Sequence, residues 1–516
     1  KKQSIAVLPL QFIGEIETGD AYLSVGLADA MITRLSQVRR IIVRPTNSVL
    51  RFSETQDSFA AGRELGVDYV LSGMIRPAGN RIRISAQLLD VKANTTIWSE
   101  KFDEEFTEVL ELEDKVAEKV AKLLIPQLTA EEEQNLAKRK VKNVEAYEAF
   151  LRGKYHFFSF TPNDFAKAIS NFEKAIKLDP NYALAYSALS DCYFVLTGFA
   201  SKTPSECIPL MEKMAAKAIE LDDQLGEAYS NLGMIRYYYR DFGKSEELLK
   251  KGIELNPNQV NGYVWNSVFF TMQGRNQEAV NEARKAFELD PSSGFHQNHY
   301  VWVLYHCRRF DEALAVSKKA VETEPNFAHG RAVAGWLFRH LNRIDEALLH
   351  SKAAHELSPE TPWFTASLAA TYAKAGEKEK AISLLQTLEA EKNQYVSPFC
   401  VAQIYLNLGD KEKTFEMLEK ALDDKDIWFP WIVSDPSLDG LRSESRYIEL
   451  IRRINPLFKT DETIHQSQVP TRIFTANDLK ATKDETKTEL AKPSFFYRHR
   501  FKFIFAGVLL ALILIG

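Results

Sequence analysis

Small residues and prolines between positions 146 and 425 recur with the spacing of paired helices. The recurring positions, each 34 residues from the next, are Ala279, Ala313, Ala347 and Ala381, then Ala286, Ala320 and Ala354, then Pro257, Pro291, Pro325 and Pro359. Alanine allows two helix backbones to approach closely where they cross. Proline ends a helix because it lacks the backbone N–H that would continue the hydrogen-bond pattern. The spacing therefore predicts repeated units of helix, short turn and helix.

About eight such units are predicted. Their bounds are 146–181, 182–224 with the insertion TGFASKTPSE, three units ending at 327, then 328–361, 362–392 and 395–425. A stack of this kind needs a polar end, because each repeat buries its apolar face only against its neighbours. We expect the sequence DPSLDGLRSESRYIELIRRI, residues 435–454, to be a terminal helix that covers the open end.

Residues 1–130 follow another pattern. Apolar runs at 4–10 and 41–46 predict buried strands, and residues 69–105 read as three antiparallel strands. Within the last region, alternating apolar residues place one strand face in a core: Ile82, Ile84, Ala86 and Leu88. Helical spacing is found at 21–38, 58–68 and 107–128. The region is therefore predicted to be an α/β domain in which helices pack on a mixed sheet.

The last part of the sequence changes composition twice. Residues 456–500 are polar, rich in Thr, Lys and Glu, and are predicted to be a disordered linker. Residues 501–516 contain the uncharged run FIFAGVLLALILIG, which is shorter than the ~20 residues of a membrane span. We expect a truncated transmembrane helix here, with a buried core helix as the alternative. Because the chain opens on Lys1 without Met, and because the short apolar run continues to the last residue, both ends are expected to lie within a longer protein.

Composition and sequence motifs argue against direct nucleic-acid binding, catalysis and metal binding. The net charge of −5 provides no general basic field for direct nucleic-acid binding. The sequence has no GxxxxGK[ST], GxGxxG, GxSxG or HExxH motif, and its four cysteines are far apart. His296, His299 and His306 come nearest to a ligand set, but no carboxylate or cysteine completes it. We therefore expect a protein without enzymatic activity, metal or cofactor.

The 34-residue period with Gly or Ala early, Ala twice later and Pro near the end resembles the tetratricopeptide repeat. The resemblance implies a curved all-α solenoid, over residues 146–455 with its capping helix, that binds a protein or peptide in its groove. It also implies that fixed positions of each first helix line the groove. The candidates are Met234, Tyr237, Tyr238, Phe295, Asn298, Trp302, Tyr305, His306, His329, Trp336, Arg339 and His340. Aromatic side chains with polar tips are typical of binding surfaces.

The run from SIAVLPL to LEDKVAEKVA in residues 1–130 resembles the TolB N-terminal-like (FlgO-like) α/β domain. The resemblance implies that a linker, here residues 131–145, joins it to the repeats. It also implies a membrane-associated bacterial regulator, bound to the membrane through 501–516. The order differs from the family, since the apolar segment follows the repeats instead of preceding the α/β domain. Two alternatives stay open: the chain is the regulatory part of a larger signalling enzyme, or of a transcriptional regulator whose kinase or winged-helix domain lies outside it. The side of the membrane and homo-oligomer formation also stay open.

Overall fold

The structure is a computed structural model that describes ten stretches of the chain. These are residues 2–13, 21–53, 57–78, 81–105, 109–137, 143–159, 162–198, 202–291, 293–392 and 394–455. The predicted disordered linker, 456–500, and the predicted membrane helix, 501–516, both lie outside the described residues. Among the helices that are described, none combines the length and the apolar character that crossing a bilayer requires.

The N-terminal region contains a mixed sheet, as predicted. Its described strands are β1 (Gln3–Val7), β2 (Gln11–Phe12), β3 (Ile41–Val43), β4 (Tyr69–Ala78), β5 (Arg81–Asp90) and β6 (Thr95–Glu105). The strand order is β3-β1-β4-β5-β6, and β2 also pairs with β4. The pairs β1–β3, β1–β4 and β2–β4 are parallel, whereas β4–β5 and β5–β6 are antiparallel. The alternation in β5 is confirmed, because Ile82, Ile84, Ala86 and Leu88 are buried and Arg81 and Arg83 are exposed.

Helices pack around this sheet. They are α1 (Ala21–Leu35), α2 (Thr46–Val49), α3 (Ser58–Leu65), α4 (Val109–Leu124) and α5 (Ala130–Ala137). α1 contacts β1 and β3, α4 contacts β5 and β6, and α1 and α4 contact each other, so both cover the same face. α3 contacts β4. The core of this region is continuous with the first repeat helix, which follows at residue 144.

The solenoid follows as helix pairs. Within the described ranges its helices are α6 (Val144–Ser159), α7 (Pro162–Leu178), α8 (Ala183–Gly198), α9 (Pro204–Leu221), α10 (Gly226–Tyr238), α11 (Phe242–Leu255), α12 (Val260–Met272), α13 (Asn276–Leu289), α14 (Gly294–His306), α15 (Phe310–Thr323), α16 (Ala328–His340), α17 (Ile344–Leu357), α18 (Pro362–Lys374), α19 (Lys378–Ala390), α20 (Pro398–Leu408) and α21 (Lys411–Asp423). Each even-numbered helix from α6 to α20 pairs with the next helix, and those from α6 to α18 also contact the first helix of the following pair. The prediction of a mixed-sheet region followed by a helical solenoid is confirmed.

The repeated small residues and prolines act as the period predicts. Pro257 stands two positions beyond the end of α11, and Pro291 two beyond the end of α13. At the crossing of α16 and α17, a Cβ on Gly335 would lie 2.4 Å from Ser351 Oγ and 3.2 Å from the Ser351 backbone N, so the two helices approach closely at this glycine. Gly376 adopts φ of +83° in the turn between α18 and α19, a conformation that glycine adopts without steric cost.

The end of the array differs from the predicted helix over 435–454. Two short 3₁₀ segments, Phe429–Val433 and Pro436–Leu441, precede α22, which covers only Ser445–Ile454. Pro436 lacks the N–H of a continuing α-helix, and the carboxylate of Asp435 accepts a hydrogen bond from the Ser437 backbone N–H (2.8 Å). α22 packs on α21 as a terminal helix. The two 3₁₀ segments that precede α22 instead lie on the inner side of the array.

Candidate functional site

The predicted groove residues come together on one side of the solenoid. We call this side, formed by the first helices α10, α12, α14, α16 and α18, the inner surface. Nine of the twelve candidates are buried: Met234, Tyr237, Tyr238, Asn298, Trp302, Tyr305, His306, Trp336 and Arg339. Phe295 is 39% exposed, while His329 and His340 are half-buried. The sequence therefore identified which side chains share a surface, but it did not predict that most of them are covered.

The covering element is residues 426–442, which we call the inner segment. Three polar contacts fix it to the inner surface. The Tyr238 hydroxyl donates to the carbonyl of Ile427 (3.4 Å), and the Tyr305 hydroxyl donates to Asp435 Oδ1 (2.9 Å). His306 Nδ1 lies 2.9 Å from Ser434 Oγ. The segment is thus held along α10 and α14 by side chains from the predicted groove.

Aromatic rings of the inner segment pack on the same helices. The ring of Phe429 stacks on Tyr237, with centroids 6.4 Å apart and planes at 20°. Trp431 lies over His306 with a centroid distance of 4.4 Å. Phe429, Trp431, Ile432 and Val433 are all buried. The inner segment therefore extends the hydrophobic core into the concave side of the array.

Asp435 is the polar centre of this packing. It is fully buried and also accepts a hydrogen bond from Gln403 Nε2 (3.0 Å). Burial raises its pKa, while hydrogen bonds from Ser437 and Tyr305 oppose that shift. Arg339, also buried, donates to the carbonyl of Ser367 (3.1 Å). Burial lowers the pKa of Arg339 to about 10, and the nearby Tyr305 and Asp435 oppose the change, so the guanidinium stays charged near neutral pH.

The three histidines that approached a ligand set in the sequence do not converge. His296 Nδ1 lies 2.8 Å from Asp290 Oδ2, His299 Nε2 lies 2.7 Å from Ser267 Oγ, and His306 contacts the inner segment. Burial lowers the pKa of His299 to about 3, so its ring is neutral. Among the residues that the structure describes, no group of three His, Cys, Asp or Glu side chains could hold a metal ion. Each imidazole has a local structural contact.

The α/β domain contacts the array at two separate places. At the first, α1 packs against α6 so closely that a Cβ on Gly26 would lie 2.9 Å from Leu151 Cβ. At the second, the loop after β3 contacts the turns that follow α11 and α13. We call this second contact the junction. Its ends are far apart in sequence, and nothing in the local pattern predicted it.

Asn258 and Arg44 are the main residues of the junction. The Asn258 side-chain amide donates to the Ile41 carbonyl (2.9 Å), and its oxygen accepts from the Val43 N–H (3.3 Å). The Arg44 guanidinium donates to Leu65 O (3.0 Å), at the end of α3, and to Leu289 O (2.9 Å), at the end of α13. A positive charge at two helix C-termini is favourable, since unpaired carbonyls make those ends electronegative.

Ser48 and Asp290 extend the junction toward the inner surface. The Ser48 hydroxyl donates to one carboxylate oxygen of Asp290, and His296 contacts the other. The ring of His296 lies 5.5 Å from that of Phe295, the exposed member of the predicted groove. A continuous chain of contacts therefore runs from the α/β domain to the inner surface of the array.

Comparison with known families agrees with the predicted repeats, and it matches the first region to a family other than the one that the sequence resembles. Residues 1–119 match the family described as "HilA/YgeH-like transcriptional regulator, second domain", and residues 163–182 match "Tetratricopeptide repeat". The solenoid is thus built of tetratricopeptide-like repeats. The family matched by the first region is HilA-like. The resemblance of residues 1–130 to the TolB-like domain stays a prediction.

Three curated proteins illustrate the similarity. "Putative adenylate cyclase 3" of Rhizobium meliloti (strain 1021) is 31% identical over 251 residues, 48% of this chain and 42% of that protein. "Transcriptional regulator HilA" of Salmonella paratyphi A is 24% identical over 315 residues, 60% of this chain and 55% of that protein. "Hsp70-Hsp90 organizing protein 3" of Arabidopsis thaliana is 28% identical over 132 residues, 26% and 21% of the two chains. The chain spans about half the length of the first two relatives.

Proposed function

We propose that this chain is the protein-interaction part of a bacterial regulator and performs no reaction itself. The array binds a protein or peptide. The α/β domain packs against the array, so that both parts respond to the bound partner. The observation that carries this proposal is the chain of contacts from Ser48 through Asp290 and His296 to Phe295. It connects the half-exposed part of the inner surface with the α/β domain.

The inner segment limits where a partner binds. Its removal would expose Phe429, Trp431, Ile432 and Val433, which are buried. At about 1.5–3 kcal/mol for each side chain, the loss is on the order of 10 kcal/mol. That is comparable to the whole stability of a typical domain. A partner therefore binds beside the inner segment and not in its place, and the accessible candidates for contact are Phe295, His329 and His340.

Relatives support a regulatory role. The 24% identical proteins are named transcriptional regulators, and the match of residues 1–119 is to a domain of such regulators. The similarity to a protein named for organising Hsp70 and Hsp90 favours a protein partner for the repeats. With a net charge of −5, we do not expect this part to contact DNA directly.

A second candidate is the regulatory part of a signalling enzyme. The observation that favours it is the 31% identity with a protein named putative adenylate cyclase, of which 42% is covered. In that case a catalytic domain outside residues 1–516 would perform the reaction, and the array would still act by binding. The sequence itself has no phosphate-binding glycine motif that would hold a nucleotide.

We also propose that residues 501–516 attach the protein to a bacterial membrane. The support is the uncharged apolar run, which follows Arg498, Arg500 and Lys502. Removal of these sixteen residues is expected to move the protein from the membrane fraction to the supernatant after ultracentrifugation. An unchanged distribution would contradict the attachment.

The interaction proposal can be tested with a photo-crosslinking amino acid in the full chain in cells. Placed at Phe295, it is expected to give a discrete crosslinked protein band. Placed at Leu349, which is 61% exposed on the outer helix α17, it should not. The purified chain should also show no turnover of ATP. Nucleotide turnover together with equal labelling from both positions would contradict the proposal.

A further inference from the structure

β6 lies at one edge of the sheet and has no strand on its outer side. It is the last strand in the order β3-β1-β4-β5-β6, and it is eleven residues long. After a bulge at Ile97, residues 98–105 pair in regular register with β5. Among the described residues, no backbone hydrogen bond reaches β6 from the side away from β5. Its outer N–H and C=O groups are therefore a template on which another strand can pair.

Two aromatic side chains on β6 are only half-buried. Phe102 lies opposite Ile84 of β5 and Trp98 lies opposite Leu88, so both rings are on the face that packs on the domain core. The two ring centroids are 6.5 Å apart. A strand added beside β6 would cover the open sides of both rings, and burial of aromatic surface is favourable. A further strand at this edge therefore stabilises the domain.

We propose that β6 pairs with β6 of a second copy of this chain, so that the two sheets join in a symmetric dimer. The two strands run antiparallel, and their pairing is centred on Phe102. Residues directly opposite each other in such a pair point to the same face of the sheet. This register places Lys101 opposite Asp103 of the second copy, and the two-fold axis forms this pair twice. The inference goes beyond the proposed interaction function, because it concerns the α/β domain and not the array.

The charges along β6 favour a second copy as the occupant of this edge. Lys101 is exposed on the open face of the sheet and has no ion pair among the described residues. In the dimer it lies beside two carboxylates of the second copy, Asp103 directly opposite and Glu105 on the diagonal. Centring the pair on Glu100, Lys101 or Asp103 would instead place that residue opposite its own copy, and such like-charge pairs are destabilising. Within β6, only the register centred on Phe102 pairs Lys101 with a carboxylate and avoids these contacts.

Asp103 is held on the open face by two arginines of β5. Its Oδ1 accepts a hydrogen bond from Arg81 Nε (2.7 Å), and its Oδ2 accepts one from Arg83 Nε (2.8 Å). The bond from Arg81, followed by that from Arg83, lowers the pKa of Asp103, so this carboxylate is ionised near neutral pH. A carboxylate can accept about four hydrogen bonds, so Asp103 keeps room for Lys101 of the second copy.

One pair in this register is unfavourable. Glu100 lies opposite Glu104 of the second copy. Lys115 Nζ of α4 is 3.2 Å from Glu104 Oε1, so its positive charge offsets part of the repulsion. The dimer thus gains two Lys–Asp pairs and a central contact between two Phe102 rings, against two repulsive pairs that a lysine reduces.

The oligomeric state of the full chain in detergent tests the inference. Sedimentation equilibrium is expected to show a monomer–dimer equilibrium. Lys101→Glu places a carboxylate opposite Asp103 of the second copy, so the dissociation constant of the dimer should rise by at least about tenfold. The matched control is Lys92→Glu, which makes the same charge change at an exposed residue in the turn between β5 and β6. This control should leave the dissociation constant unchanged.

Disulfide formation tests the register. Phe102→Cys places two thiols directly opposite each other, with Cα atoms about 4.5–5.5 Å apart, which is within the range of a disulfide. Mild oxidation should therefore give a covalent dimer on a non-reducing gel, whereas the native cysteines, which are all buried, should not react. Glu100→Cys is the control, because this register separates the two copies of Glu100 by four residues, about 13 Å.

A dimer that Lys101→Glu weakens, together with crosslinking of Phe102→Cys, would support the inference. A chain that stays monomeric at every concentration would overturn it. Equal effects of Lys101→Glu and Lys92→Glu, or equal crosslinking of Phe102→Cys and Glu100→Cys, would overturn it as well. None of these substitutions lies on the inner surface, so the proposed binding by the array is tested separately.

Discussion

At the edge of the sheet, the side-chain amide of Asn258 forms the hydrogen bonds that a neighbouring strand forms elsewhere in the sheet. β3 is the last strand on its side of the sheet, so its outer N–H and C=O groups need partners. Asn258 provides both a donor and an acceptor, to Ile41 and Val43, from a turn of the array more than 200 residues away. A single side chain thus closes the sheet and fixes the array to it.

Replacement of Asn258 by alanine is expected to weaken the junction. The Val43 N–H and the Ile41 carbonyl would remain buried without this partner, at a cost of about 1–3 kcal/mol in the free energy of unfolding. Urea unfolding measures this loss. The control is Asn261→Ala, an exposed asparagine on α12, which should change stability by less than about 0.5 kcal/mol. Equal effects of the two substitutions would contradict the assigned role.

A buried carboxyl group lies at the other contact between the α/β domain and the array. Glu113 of α4 accepts a hydrogen bond from the Tyr147 hydroxyl of α6. Burial raises its pKa from 4.5 to about 8, and this effect outweighs the hydrogen bond and the nearby charge of Arg34, which lower it. The folded chain therefore keeps this proton at neutral pH.

The raised pKa of Glu113 predicts a pH-dependent stability. Between pH 4.5 and about 8 the folded state holds a proton that the unfolded state has released, so the free energy of unfolding falls as pH rises. Glu113→Gln should reduce this decrease, by up to about 1.4 kcal/mol per pH unit. Glu118→Gln, on the exposed side of α4, should leave the slope unchanged. Urea midpoints across this range measure it, and identical slopes for Glu113→Gln and the unmodified chain would contradict the prediction.

Among the elements, the repeat helices were predictable and the inner segment was not. The helices follow a local rule. The alanine at the position of Ala279 and the proline at the position of Pro291 have the same structural role in each repeat, so these residue types recur at the same interval. Residues 426–442 contain no period, and their contacts include the hydroxyls of Tyr238 on α10 and Tyr305 on α14, which lie 189 and 130 residues earlier in the chain than the residues they bind. The sequence showed that Tyr237, Trp302 and Tyr305 share a surface, but not what lies on it.

Removal of the Trp431 side chain tests how much the inner segment contributes to the stability of the array. Trp431 is buried against His306 and Trp302. Trp431→Ala is expected to lower the free energy of unfolding by about 3–5 kcal/mol, because it leaves a large cavity. Leu349→Ala, on the exposed surface of α17, should change it by less than about 0.5 kcal/mol. Thermal unfolding compares the two, and a loss near zero for Trp431→Ala would mean that the segment is loosely placed.

At the scale of the whole molecule, long-range contacts join the predicted modules within the described residues 2–455 into one compact unit. The boundaries at 130 and 145 came from a change in local pattern, but Arg44 contacts residues near 289 and Tyr238 contacts Ile427. No local signal marks such pairs, since each uses an ordinary polar residue in an ordinary turn or helix. The domain boundaries and the partner-binding role of the twelve candidates stay predictions.

Amide hydrogen exchange of the inner segment tests the account most directly. The N–H groups of Trp431, Ser434 and Asp435 are hydrogen-bonded within the segment, and their side chains lie inside the array. We predict that these amides exchange as slowly as those in the middle of α14, at a rate set by unfolding of the whole array. Exchange as fast as that of an exposed linker would show that the segment leaves the inner surface freely. That result would contradict a filled inner surface and the limit that this surface sets on where a partner binds.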